Sequence, residues 1–155
     1  MPRSPGFFGV ILAAGESTRM GRDKALLPWP PPTHEGMIGN ETFLSSAIKS
    51  LLDFCDSVIV VAGNNEPQLA PLVYTHNASL IRNPAPERGQ FSSLQLGLQQ
   101  VLNRGRDAAM ITLVDRPPVR SQTLGLLREA FLASPARIWA VVPEYKGQHG
   151  HPYIV

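Results

Sequence analysis

The amino-acid sequence predicts an α/β fold with a mostly parallel sheet covered by helices on both faces. Apolar, β-branched runs alternate along the chain with stretches of helical periodicity, the pattern of βαβ units. Gly-rich and polar stretches follow those runs directly, at the strand ends where folds of this class bind ligands. The chain's 155 residues suffice for one domain with one core, so residues 1–155 are read as a single domain.

Each element has its own signal. Phe7 to Ala13 is an apolar run ending in small residues, a buried strand that feeds a loop carrying Gly15 and Gly21. Pro28 to Glu41 is rich in Pro and Gly and holds no regular element. Thr42 is placed to cap a helix over 43–54, with Phe43, Ala47, Ile48, Leu51 and Leu52 at helical spacing. Ser57 to Ala62 is a β-branched second strand ended by Gly63. Pro67 to Tyr74 is a short helix, and Ser79 to Arg82 a third strand. Gln90 to Asn103 places Phe91, Leu94, Leu98 and Val101 on one helical face. Ala108 to Val114 is a fourth strand, Gln122 to Ala133 a helix, and Arg137 to Val142 a fifth strand. The strand-end rule therefore singles out the loops after Ala13, Ala62, Arg82 and Val114.

Composition narrows the function classes. Hydrophobic residues make up 43% and charged residues 17%, the balance of an ordinary globular protein. A net charge of +2 with no Lys/Arg run suits anionic small ligands and argues against nucleic acid. Cys55 is the only cysteine, which excludes an intrachain disulfide and argues against a Cys-based zinc site. No apolar stretch approaches the roughly 18 residues of a membrane span, and Met1 to Gly9 has no signal-peptide core. The expected compartment is cytoplasmic, with no membrane partner.

The loop after the first strand carries the chemistry. Small residues at Ala13, Ala14 and Gly15 let backbone come close to a bulky anion, and exposed N–H groups there can cradle phosphate oxygens. Arg19 and Lys24 bring two cations, one able to grip phosphate bidentately and one a point charge. By residue chemistry alone, a tight strand-to-helix connection with two surface cations remains open. Neither the Walker spacing nor the dinucleotide fingerprint is met.

The run Leu12-Ala-Ala-Gly-Glu-Ser-Thr-Arg-Met-Gly-Arg-Asp-Lys24, followed by Ala25-Leu26-Leu27-Pro28-Trp29, resembles the opening motif of the MobA-like nucleotidyltransferases. Within that group the sequence looks most like the molybdenum cofactor cytidylyltransferase branch. The guanylyltransferase branch typically has Gly-Gly where this chain has Ala14-Gly15. The resemblance implies a Rossmann-like three-layer α/β/α domain of the nucleotide-diphospho-sugar transferase type. Leu12, Ala13, Ala14 and Gly15 would hold a triphosphate, with Arg19 and Lys24 on the phosphates.

Later segments continue the likeness. Asn83-Pro84, then Gly89-Gln90-Phe91-Ser92-Ser93-Leu94 and Gly97, resembles a second motif that lies beside base and ribose. This would make Asn83, Gly89, Ser92 and Ser93 nucleotide-binding, although helix capping by the serines and a turn role for Asn83 stay open. Asp115, in Asp115-Arg116-Pro117 after an apolar strand, matches the family position that binds Mg²⁺; a turn Asp before prolines is the alternative. Gly150-His151-Pro152 resembles a late motif on the acceptor side of the cleft. A structural role for His151 is equally open, and His149 is read as structural.

The resemblance thus implies Mg²⁺-dependent transfer of CMP from CTP to the phosphate of molybdopterin, releasing pyrophosphate, with Arg19, Lys24 and Asp115 catalytic. GTP, or a sugar 1-phosphate acceptor, would use the same phosphate machinery, and a non-catalytic nucleotide-binding module is the third reading. Two departures stand out. Pro30 to Glu41 looks like an insertion at the lip of the cleft, and relatives continue beyond the position of Val155. The family's later elements carry a further carboxylate and part of the acceptor site. The chain is therefore expected to be C-terminally short, with a sheet edge or core face left for another subunit to cover. Cys55, Trp29 and Trp139 are expected to pack, and His34 and His76 to be solvated.

Overall fold

The computed structural model describes residues 6–15, 22–36 and 39–155. Arg19 lies outside them. Among the described residues the strands are β1 (Phe7–Leu12), β2 (Ser57–Ala62), β3 (Ser79–Arg82), β4 (Ala108–Leu113), β5 (Glu144–Tyr145), β6 (Gln148–His149) and β7 (Tyr153–Ile154). The α-helices are α1 (Phe43–Leu52), α2 (Glu66–Thr75), α3 (Gln90–Asn103) and α4 (Ser121–Ala133). Single 3-10 turns span Lys24–Leu26 and Pro86–Arg88.

The main sheet runs β3-β2-β1-β4-β7, and β5 pairs with β6 in a separate hairpin. Pairing is parallel from β3 through β4 and antiparallel between β4 and β7. This is the mostly parallel architecture the alternation predicts. β1 is buried along its whole length, because both faces of the sheet are covered. Phe7 and Ile11 point to the side where Leu44, Ile48 and Leu51 of α1, Leu69 and Val73 of α2, and Leu124 and Leu127 of α4 pack. Phe8, Val10 and Leu12 point to the other side, against Leu94, Leu98 and Val101 of α3.

Local chemistry explains the helices. Thr42 caps α1 as expected: its Oγ1 accepts from Ser45 N at 3.1 Å, and Ser45 Oγ accepts from Thr42 N at 2.8 Å. α3 sits close on the sheet because Gly97 has no side chain; a Cβ there would lie 2.7 Å from Val10 Cγ1. Phe91 departs from its expected place on the buried face and is 67% exposed at the helix start.

The fifth strand expected over 137–142 is not formed. The chain leaves α4 through Ser134-Pro135 into an irregular segment, with Trp139 83% exposed rather than packed. The edge of β4 is taken by β7, and the segment pairs only through Val141, as an isolated bridge to Ile154 of β7. His76 also differs from a solvated side chain: its Nδ1 lies 2.8 Å from the carbonyl of Leu72 at the end of α2. Trp29 packs on Phe43, with ring centroids 5.0 Å apart.

Candidate active site

The chain leaves β1 toward β2 on one side, and β4 joins β1 on the other, so the sheet order reverses at β1. Crevices at such a point are where open α/β sheets take their ligands. Backbone hydrogen bonds continue past the strand ends there. Ala13 N donates to Val61 O at 2.8 Å, Asn83 N to Ala62 O at 2.7 Å, and Val114 N to Leu12 O at 3.1 Å.

A cavity of about 310 Å³ opens over these ends, lined by Leu12, Ala14, Gly15, Pro86, Glu87, Gly89, Gln90 and Ser93. A second, of about 210 Å³, is lined by Leu12, Gly15, Asp23, Lys24, Gln90, Val114 and Asp115. Leu12, Gly15 and Gln90 belong to both, so the two form one trough. A Cβ on Gly15 would meet no described atom within 4 Å.

Each wall has a local cause. Asp23 caps the Lys24 turn, its Oδ1 accepting from Ala25 N at 3.0 Å, and Ala25 is fully buried, which pins the turn to the core. Gly89, at φ +94°, makes the bend into α3 that other residues resist. Beneath that bend Asn83, only 2% exposed, donates from Nδ2 to Ser92 Oγ at 2.9 Å and Ser93 Oγ at 3.0 Å. Its Oδ1 accepts from Ala85 N at 2.9 Å, and Ser92 Oγ donates to Gly89 O at 2.7 Å.

His151, in the segment before β7, feels the charges of Asp115 and Arg116. Burial pushes its imidazole below the ordinary value, the Arg116 guanidinium adds to this, and the Asp115 carboxylate opposes it. Its ring meets Tyr153 edge-on at 5.3 Å.

Residues 9–155 match a family described as the MobA-like NTP transferase domain. The chain belongs to that family. It is 30% identical over 147 residues to an Escherichia coli protein named molybdenum cofactor cytidylyltransferase, covering 94% of this chain and 68% of the relative. It is 31% identical over 134 residues to a Rhodopirellula baltica protein named "Probable molybdenum cofactor guanylyltransferase", covering 86% of this chain and 60% of the relative. A crystal structure of a Mycobacterium tuberculosis protein superimposes with a TM-score of 0.77 at 25% identity, over 98% of this chain and 72% of that one. The chain thus spans between about half and two thirds of the length of the curated relatives it matches.

In this MobA-like domain, the residues singled out from sequence fall into two groups. Leu12, Ala14, Gly15, Lys24, Gly89, Ser93 and Asp115 line the trough. Ala13, Asn83, Ser92 and His151 are not on its walls; Ala13 is buried, and Asn83 braces the serine loop from below. Sequence reasoning did not single out Asp23, Pro86, Glu87 or Gln90. Gln90 had a signal, its place right after Gly89 at a helix start; an exposed Glu87 between Pro86 and Arg88 had none. Among the described residues no group of three or more His, Cys, Asp or Glu could hold a metal ion, and no helix is long and apolar enough to cross a membrane.

Proposed function

We propose that this MobA-like domain binds a nucleoside triphosphate along the trough and, within its whole protein, transfers the nucleoside monophosphate to a phosphorylated acceptor. The observation that carries the reading is Gly15. It borders both halves of the trough, and a Cβ there would meet none of the described residues within 4 Å, so their packing does not demand glycine. Bare backbone is needed where a bulky ligand comes close.

Charge orders the ligand. Phosphates belong in the half with Lys24, where the oxygens of the neighbouring Asp23 are already taken by Ala25 N and Asn65 Nδ2; the half with Glu87, which has no described cation on its walls, is left for base and ribose. Asp115 also lines the phosphate half, and a divalent cation between its carboxylate and the phosphates would offset their repulsion. One carboxylate with phosphate oxygens and water is an ordinary Mg²⁺ arrangement, so the donor set fits Mg²⁺ on Asp115. When bound, the ion would polarise phosphoryl oxygens and offset their charge.

In the reaction an acceptor phosphate oxygen forms a bond to the α-phosphorus. The bond from that phosphorus to the bridging oxygen breaks, and pyrophosphate leaves with the electron pair. Lys24, joined by Arg19 of the opening motif, neutralises charge that grows during transfer. A phosphate monoester is already anionic, so no general base is required. For the acceptor and base, the favoured reading is molybdopterin phosphate and CTP. Relatives named as molybdenum cofactor transferases support the acceptor, and Ala14-Gly15 supports the base. Pyrophosphate release with molybdopterin and CTP, against GTP as control, is the test. Faster release from GTP would overturn the base assignment, and no release from any nucleotide would overturn the activity.

A further inference from the structure

Asn65, in the loop after β2, lines neither half of the trough, yet its side chain ties the trough together. Its Nδ2 donates to Ala13 O at 2.8 Å and to Asp23 Oδ2 at 2.6 Å, while its Oδ1 accepts from Gly63 N at 2.9 Å. Both amide hydrogens and the amide oxygen are therefore used. Asp23, with its other oxygen on Ala25 N, caps the turn that begins at Lys24. One side chain thus joins the residue just before Ala14-Gly15, its own loop, and the turn that presents the lysine.

We propose that Asn65 is a positioning residue, which fixes Lys24 relative to the bare backbone at Gly15. The inference rests on the phosphate-binding reading. Only a carboxamide meets the pattern. An aspartate would keep the acceptor for Gly63 N but lose both donors and set a second carboxylate against Asp23. The spacing of a lysine from a fixed backbone cradle decides whether a phosphate can use both at once, so loosening it weakens a triphosphate complex without removing any atom that touches the ligand.

The test compares the wild-type chain, Asn65→Ala, Asn65→Asp, Lys24→Ala and Asn65→Ala/Lys24→Ala. Hydrogen exchange is read in the peptide over 22–27, and CTP affinity is read with Mg²⁺ by titration into the millimolar range. Exchange over 22–27 should quicken in both Asn65 variants while the thermal midpoint of the rest of the chain holds. CTP affinity should fall about tenfold with Lys24 present and less than about twofold in the Lys24→Ala background, since one residue acts through the other. Equal losses in both backgrounds, or unchanged exchange over 22–27, would overturn the proposal. A wild-type chain that binds no triphosphate would instead sink the function proposed above, and the exchange measurement would still judge the anchor.

Discussion

Two glycines sit in this protein for opposite reasons, and each predicts its own outcome. Gly97→Ala forces a methyl to 2.7 Å from Val10 Cγ1 and should cost about 1–3 kcal/mol in a urea denaturation series. Gly15→Ala meets no described residue within 4 Å and should leave stability within about 0.5 kcal/mol, while nucleotide affinity falls as backbone is screened from phosphate. Lys24→Ala should lower pyrophosphate release by about a hundredfold or more, the usual effect of removing a preorganised charge partner. Cys55 lies against the core, and burial pushes its thiol up to about 12. It should stay unlabelled by iodoacetamide at neutral pH until the chain unfolds. At this scale the sequence was informative where local context marks a position, as for Lys24 and Asp115, both of which line the trough. Asn65 was not legible, because its partners Ala13 and Asp23 are 52 and 42 positions away and no local pattern announces them.

Elements follow the same logic. β2, β3 and α3 were legible to the residue, since each is bounded by Gly, Pro or a change of period. The segment 137–142 has strand-like composition, but the β4 edge belongs to β7, and the two-residue β7 pairs with the segment only at Val141. β7 spans two residues, too few for any periodicity to declare it. The turn into β7 also carries a pH dependence through His151. Its pKa is lowered in the folded state, so below its ordinary value of 6.5 the unfolded chain takes up a proton that the folded chain resists. Stability should therefore fall as pH drops through that value, and level off below the folded value. Denaturation midpoints measured from neutral to acidic pH should show a shallower acid-side decline in His151→Gln than in the wild-type chain. Parallel slopes would remove His151 from the explanation.

For the whole molecule, the order of the sheet, reversing at β1, brings the ends of β1 and β4 and the start of α3 around one trough. The trough has Lys24 with Asp23 and Asp115 in one half and Glu87 in the other. A ligand that spans it should stabilise the fold by mass action, by about 2.7 kcal/mol at a hundredfold excess over its Kd. Thermal midpoints should accordingly rise with CTP and Mg²⁺ more than with cytidine, which lacks the phosphates. The most direct measurement is a crystal structure with CTP and Mg²⁺. Phosphate oxygens should lie against the Gly15 backbone and Lys24 Nζ, with the ion on Asp115 and the base toward Glu87. Phosphates at the Glu87 end, or a nucleotide bound away from Gly15, would contradict it.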